Sequence, residues 1–395
     1  MKVAFIIHSF PAVYTTFILH EMTELMKRGH DVLIIALSAR HDRTVHEDVA
    51  KYDLMSRRHV VTRRGFDFVH NKLSNALVAF HLMKANMSDY GRYFRRNAPT
   101  LAPIADLVKR EKVDVIHAAF ADDPASMAMV ISEMTGVPFT FECHARDLFV
   151  YFPFPQDKFA RASRIFTISN YNRLYLTRQL QCPADKIVIK RVPFNKDYCD
   201  ALPDHPKDGN LIVSACRLHP IKGLEYAIEA CALTARRRPD LRYVIIGDGP
   251  LRKGLQDKID ALGMQRNISL LGNLPNTEVL AHLRRAAFCL LPSMLAPDGD
   301  RDGIPTAMIE AMYLKTPAVS SKVSGIPELI EDGINGILAD PRDVLLLAEQ
   351  MDCLLSNRAL RESMGERARE KVEQVFNLEE NIEVLVKGLE SACVT

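Results

Sequence analysis

Leu211-Ile212-Val213-Ser214-Ala215-Cys216-Arg217-Leu218-His219-Pro220-Ile221-Lys222-Gly223, running into the helix-patterned segment Leu224–Arg236, decides the fold of this 395-residue chain. The first five residues form a short run with no charge, the pattern of a strand buried on both faces. A brief turn then leads into apolar residues spaced as on one face of a helix. A strand entering a helix in this way is the unit of a parallel sheet covered on both sides. The same unit recurs towards the C-terminus. Strands are predicted at Tyr243–Ile246, Ile268–Leu271, Phe288–Leu291, Ala318–Ser320 and Gly336–Leu338, with helices at Leu251–Leu262, Thr277–Ala286 and Thr306–Tyr313.

Reading backwards, residues 193–210 interrupt the rhythm, because Pro193, Pro203, Pro206 and Gly209 fall among charged residues in the manner of a linker. Before them lies an earlier series with strands Val3–Ile7, Asp31–Ala36, Val113–His117, Phe139–Glu142 and Arg164–Ile168. Its helices include Phe17–Arg28 and Pro124–Thr135, with stop signals at Gly29 and at Gly136-Val137-Pro138. The expectation is an α/β protein of two doubly wound parallel-sheet domains in tandem, with a cleft between them. Residues 1–200 form the first domain and 207–377 the second, and a last helix, 378–395, packs back on the first.

Composition agrees with a globular chain: 48% of residues are hydrophobic and 25% charged. Eight cysteines stand apart, with no zinc-knuckle or redox spacing, and read as reduced thiols. The opening apolar run ends at His8, too short for a signal peptide or a membrane span, so a cytoplasmic location is expected. Net charge is only +2, yet residues 1–110 hold 17 Lys/Arg against 10 Asp/Glu. That surplus, concentrated at Arg57-Arg58, Arg63-Arg64, Arg92, Arg95-Arg96 and Lys109-Arg110, fits either solvated helix faces or docking on an anionic membrane surface. No nucleic-acid partner is expected.

Three stretches carry chemistry. Arg217, where a strand ends, and Lys222, where a helix begins, fall at the carboxyl edge of the sheet, where ligands of such folds bind. They offer a planar fork and a point charge for phosphate oxygens; alone, the pair also fits an ordinary surface. Ile246-Gly247-Asp248-Gly249-Pro250 is a turn whose glycines, Gly247 first, permit a tight bend and close approach of backbone to a ligand; a purely structural role fits it equally. Asp298-Gly299-Asp300-Arg301-Asp302-Gly303-Ile304-Pro305-Thr306 leads to Glu310-Ala311-Met312 and places two acids, Asp302 and Glu310, around a helix start. The free N–H groups of Gly303–Thr306 can meet phosphate or sugar oxygens. Asp302 could grip sugar hydroxyls and Glu310 those of a ribose.

Two metal patterns in this stretch are set aside. Asp298-Gly299-Asp300 matches an Asp-any-Asp metal motif, and Asp298, Asp300, Asp302 and Gly303 imitate the start of a calcium loop. That loop requires its bidentate Glu at position 309, which is Ile309. No metal site is expected, since Arg217, Lys222 and the helix N-terminus can do the charge work.

Taken together, Arg217-Leu218 with Lys222-Gly223, Gly247–Pro250, Asp302 through Glu310-Ala311-Met312, and Ser324-Gly325-Ile326-Pro327-Glu328 with Asp332-Gly333 and Asn335-Gly336 resemble the family 4 group of retaining GT-B glycosyltransferases. The resemblance covers nearly the whole chain and implies two Rossmann-like domains. By it, Arg217 and Lys222 bind the donor diphosphate, Glu310 holds the ribose, and backbone near Leu274 contacts the base. Asp302, where the family usually has Glu, touches donor sugar hydroxyls, aided by Gly303, Ile304, Pro305 and Thr306. His144, in Phe141-Glu142-Cys143-His144-Ala145, reaches the donor sugar, unless it is a structural histidine; Ala145 replaces the usual Gly. The first loop, Ser9-Phe10-Pro11 to Thr15-Thr16-Phe17-Ile18, looks closer to a subgroup acting on exopolysaccharide and lipid-linked oligosaccharides, with Thr15 and Thr16 able to cap the following helix.

The implied activity is transfer of a sugar, with retention, from a nucleotide diphosphate donor to a saccharide or lipid-linked acceptor. A UDP-sugar is favoured over a GDP-sugar, no cofactor or metal is needed, and the enzyme works in the cytoplasm or peripherally on the inner face of the membrane. Two other readings stay open: a GT-B nucleotide-sugar epimerase, and a non-catalytic protein that binds nucleotide sugar or carbohydrate.

Overall fold

The computed structural model describes residues 1–12, 16–39, 45–61 and 88–394. The chain divides into two compact units. The first comprises Met1–Ile168, Asn172–Lys190 and Glu379–Thr395, and the second Ser169–Tyr171 and Arg191–Leu378.

The first unit is built on strands β1 (Lys2–Ser9), β2 (Asp31–Ser38), β3 (Arg58–Val60), β4 (Val115–Ala118), β5 (Phe139–Cys143), β6 (Arg164–Thr167) and β7 (Ile187–Ile189). They pair in parallel in the order β3-β2-β1-β4-β5-β6-β7. Parallel pairing needs helical crossovers, which cover both faces, and the strands are accordingly uncharged and buried along most of their length. Val3, Ala4, Phe5, Ile6, Ile34 and Ile35 are almost wholly excluded from solvent. Each buried large apolar side chain contributes roughly 1.5–3 kcal/mol.

β3 and β7, the half-buried edge strands of this sheet, were not read from the sequence. The helix Asp89–Arg110 was hidden because it contains Pro99 and Pro103. Each proline removes one helical hydrogen bond. The helix persists because Tyr90, Phe94, Ala98, Leu101, Ala105 and Val108 bury one face, and Ser88 caps it by accepting from Gly91 N at 3.0 Å. The C-terminal helix, Leu378–Cys393, packs on this unit: a Cβ at Gly388 would lie 2.5 Å from the Phe166 ring, and Arg28 pairs with Glu383 at 2.8 Å.

The second unit carries β8 (Leu211–Ala215), β9 (Arg242–Ile246), β10 (Ile268–Gly272), β11 (Phe288–Leu290), β12 (Ala318–Ser320) and β13 (Gly336–Leu338), parallel in the order β10-β9-β8-β11-β12-β13. The strand order reverses between β8 and β11, so the loops following these two strands diverge and leave a crevice at the carboxyl edge of the sheet.

The expected linker at 193–210 is a strap belonging to this second unit, whose longer segment runs from Arg191 to Leu378. Phe194 N donates to Phe376 O at 3.2 Å, and Asp208 N to Arg285 O at 2.7 Å. Lys207 donates to Arg284 O at 2.9 Å and Leu314 O at 3.1 Å. Prolines and charges gave this segment a linker's composition, but Phe194 N, Lys207 and Asp208 N are bonded to the ends of neighbouring helices. Among the described residues, no helix is long and apolar enough to cross a membrane.

Candidate functional site

In the second unit, the turn after β8 is held by backbone alone: Cys216 N donates to Ile246 O at 2.9 Å and Leu218 N to Asp248 O at 3.0 Å. Gly247 makes this possible. Its φ is 129°, and a Cβ there would stand 1.9 Å from Cys216 O. The room its missing side chain leaves is filled by protein. Gly223 (φ 62°) plays a similar part at the start of the helix Leu224–Ala235, where a Cβ would lie 2.0 Å from Pro292 O. The Gly247 contacts join the loop after β8 to the loop after β9, and the Gly223 contact brings the loop after β8 against the loop after β11, on either side of the switch point.

Lys222 reaches across that point. Its Nζ lies 2.5 Å from Asp302 Oδ1, while Ser293 Oγ donates to Asp302 Oδ2 at 2.6 Å. Burial alone would lower the Lys222 pKa, but the Asp302 carboxylate outweighs it and raises the value. Arg217 is exposed and, among the described residues, has no hydrogen-bond or ion-pair partner. The structure thus sets Lys222, Asp302 and Ser293 in one hydrogen-bonded group and leaves Arg217 unengaged.

Asp302 is followed by buried Gly303 and Ile304, then half-buried Pro305 and Thr306. The helix Thr306–Tyr313 starts there with no side-chain cap, so its first N–H groups are available to a ligand. Glu310 lies on the second turn. It is half-buried, has no partner among the described residues, and is pushed up to about 7 by burial alone. A partly shielded carboxyl with no partner among the described residues is open to donors from a ligand. Ser324 adds a buried hydroxyl oxygen without a partner beyond β12, with φ 51°. Leu274, just past β10, is half-buried. The Asp298 and Asp300 carboxylates accept from Asp300 N and Arg301 N within their own loop, both at 3.0 Å, and Arg301 donates to Tyr171 Oη at 2.8 Å.

In the first unit, His144 follows β5. Its ring packs on Phe17 and Phe120, with centroids 4.9 and 5.3 Å away. Its Nε2 faces Glu142 Oε2 at 3.2 Å and Ala119 O at 3.1 Å. Ala145 has φ −143°, a conformation that needs no glycine, and its N–H donates to Asp147 Oδ1 at 2.9 Å. Thr16 begins the helix Thr16–Lys27; Thr15 lies outside the described residues.

Behind His144 is a group that the sequence reading missed. Lys190 Nζ is bonded to both Glu21 and Glu142, with all three side chains essentially buried. His117 Nε2 lies 3.2 Å from Glu142 Oε1 and its Nδ1 2.8 Å from Thr140 Oγ1. Glu21, His117 and Glu142 have the spacing of metal ligands, but the Lys190 ammonium already supplies the cation they surround. Burial alone would raise Glu142; Lys190 and the two histidines hold it well below the usual carboxylate range. Glu21 is pushed up to about 7, by burial and by the neighbouring Glu142. The signal was present in the sequence: an acid in the buried strand Phe139–Cys143, and another among the apolar residues Ile18, Met22 and Leu25 of one helix face.

The basic cluster of the first unit is partly neutralised, with Arg57 paired to Asp31 and Arg92 to Asp89. Arg95 and Arg96 are exposed; Arg63 and Arg64 lie outside the described residues.

Residues 15–190 match the family described as Glycosyltransferase Family 4, and residues 201–371 the one described as Glycosyl transferases group 1. The chain is 31% identical to the amylovoran biosynthesis glycosyltransferase AmsK of Erwinia amylovora, over 95% of its length and 96% of that protein's. It is 30% identical to the putative colanic acid biosynthesis glycosyltransferase WcaL of Escherichia coli K12, with the same coverage.

The chain belongs to the family 4 glycosyltransferases.

Among solved structures, HepE of Anabaena, determined with UDP-glucose, superposes with a TM-score of 0.74 at 17% identity, covering 99% of this chain and 100% of that one. TarM of S. aureus, determined as a mutant with UDP, fondaparinux and α-GlcNAc-glycerol, gives 0.74 at 14% identity over 98% of this chain and 99% of that one. At these identities the likeness speaks for the GT-B fold. In this glycosyltransferase the two parallel sheets supply the two Rossmann-like domains of that fold.

Proposed function

We propose that this glycosyltransferase transfers a sugar, with retention of configuration, from a nucleotide diphosphate donor to a saccharide or lipid-linked acceptor in exopolysaccharide synthesis. The observation that carries the reading is Glu310: a partly buried carboxyl, raised to about 7 and without a partner, on an uncapped helix at the sheet's switch point. Two vicinal ribose hydroxyls would satisfy it. Arg217 and the first N–H groups of the helix would take the diphosphate, and Lys222 would share its charge between Asp302 and a phosphate oxygen. Leu274 would lie beside the base, and Asp302 and Gly303–Thr306 beside the sugar. His144 would provide a polar contact to that sugar.

In the reaction, the C1–O bond to the diphosphate breaks and a bond from the acceptor oxygen to C1 forms on the same face. The acceptor proton passes to the departing phosphate, whose charge Arg217 and Lys222 stabilise without a metal ion. A UDP-sugar is favoured over a GDP-sugar, in keeping with the UDP in solved structures of the same fold; the roles of the amylovoran and colanic acid relatives support the acceptor class. The basic surplus around Arg95 and Arg96 supports docking on an anionic inner membrane face, at about 1 kcal/mol per cation near the surface.

A panel of nucleotide sugars with lipid-linked saccharide acceptors, run in EDTA and followed by NMR of the new anomeric centre, tests the reading. An α-linked product from an α-linked donor is expected. An inverted product, or turnover only with added divalent metal, would overturn it.

A further inference from the structure

The buried cluster behind His144 is not used by the reaction as described, and its geometry constrains that histidine closely. Two acceptors, the Ala119 carbonyl and Glu142 Oε2, lie within 3.2 Å of one ring nitrogen, Nε2. Two acceptors can only be met by a donor, so Nε2 carries the hydrogen and Nδ1 is the nitrogen left for a ligand. The rings of Phe17 and Phe120 restrict rotation about this contact. Glu142 is itself immobilised, with its other oxygen held by Lys190 and facing His117 at 3.2 Å. Lys190 is in turn braced by Glu21 from the helix Thr16–Lys27.

Five elements thus converge: that helix, β4 through His117, β5 through Thr140 and Glu142, the residue after β7 through Lys190, and the loop after β4 through Ala119. Burying two carboxylates and an ammonium is costly, and a core of apolar residues would fold as well or better. An orienting role would offset that cost.

We propose that Glu142 is a positioning residue for His144: clamped by Lys190 and Glu21, it fixes the imidazole as the Nε2–H form, directs Nδ1 outward, and keeps a compensating negative charge behind the ring. The proposal rests on the reading of His144 given above as the histidine that meets the donor sugar. The charged groups facing the ring are Glu142, Asp147, Lys190 and Glu21, with His117 beyond Glu142. Burial alone would lower the ring's pKa; the carboxylates of Glu142 and Asp147 outweigh it and raise the value above 6.5, while Lys190 acts against them. With Glu142 neutral, burial and Lys190 push the same way, downwards.

The test is an NMR titration of the histidine-ring nitrogens and carbons in the full chain, with His144 assigned from the signal missing in His144→Gln. In the wild type, the neutral ring is expected as the Nε2–H tautomer with a midpoint above 6.5. In Glu142→Gln, which leaves the one-to-one Lys190–Glu21 pair intact, the midpoint should fall below 6.5. Its kcat should drop on the order of a hundredfold, the cost of a misplaced reacting group, while nucleoside diphosphate affinity stays within about twofold, an unchanged constant meaning no change in binding free energy. An Nδ1–H tautomer in the wild type overturns the proposal whether or not the variant folds, and so does an identical midpoint in both proteins. If the midpoint moves but kcat does not, positioning by Glu142 is supported and the assignment of His144 to the donor sugar falls instead.

Discussion

Replacing Glu310 by Gln should weaken nucleotide binding and yet make the protein more stable at neutral pH. The carboxyl is pushed up to about 7, against 4.5 for a free glutamate, by burial alone. A group whose folded pKa lies above its unfolded one costs stability when ionised. That cost is absent below about pH 4.5, grows as pH rises towards 7, and is complete above it. At 1.36 kcal/mol per pH unit the difference amounts to about 3 kcal/mol, which the residue's partial exposure reduces to about 2. Gln has the shape of the neutral acid, so Glu310→Gln should recover that amount at pH 8 and almost none at pH 4.5. For a unit of this size, 2 kcal/mol corresponds to roughly 5 °C in Tm. Nucleotide binding should change in the opposite sense. A ribose diol donates to the ionised carboxylate, so wild-type affinity should rise with pH up to about 7 and fall about tenfold for each unit below. Calorimetry in buffers of different ionisation enthalpy should then show proton release on binding near pH 6. Glu310→Gln should bind a nucleoside diphosphate weakly, without proton release. Unchanged affinity with a lowered Tm would refute the reasoning, because it would make Glu310 a structural residue.

Two further outcomes follow from the same unit. Lys222→Ala should lose about 3–5 kcal/mol in denaturant titrations, since it leaves the nearly buried Asp302 carboxylate without its cation. Lys222→Met combined with Asp302→Asn should recover most of that stability but not nucleotide affinity, and a double variant as unstable as the single one would mean that pairing is not the cause. Gly247→Ala should cost stability first, by more than about 3 kcal/mol, because the new Cβ would overlap Cys216 O at 1.9 Å and φ is 129°. A stable Gly247→Ala with impaired nucleotide binding would instead assign that glycine to the ligand.

The candidate site was legible where local pattern and chemistry coincide. Arg217 just past a strand, Lys222 just before a helix, Asp302 in the loop before the helix Thr306–Tyr313 and Glu310 on its second turn occupy positions that strand–helix alternation locates without any tertiary knowledge. That Glu21, Glu142 and Lys190 meet was not legible, although two of them stand out as acids within buried elements. The three are up to 169 residues apart, and spacing along the chain does not show which of them pair. The helix Asp89–Arg110 was hidden because proline propensity argues against it, and only packing of its apolar face overrides that preference.

The sequence by itself determined the α/β class, the two parallel sheets and the acids bracketing the start of the helix Thr306–Tyr313. These follow from the period of apolar residues and from turn chemistry, which are local properties. Tertiary structure alone decided that Asp302 is bound to Lys222 and Ser293 while Glu310 is left without a partner among the described residues. It also decided that Gly247 makes room for Cys216 O, and that residues 193–210 are a strap and not a tether. Each of these depends on which groups meet across the sheet's edge and how much water remains beside them, and neither property is a function of spacing along the chain.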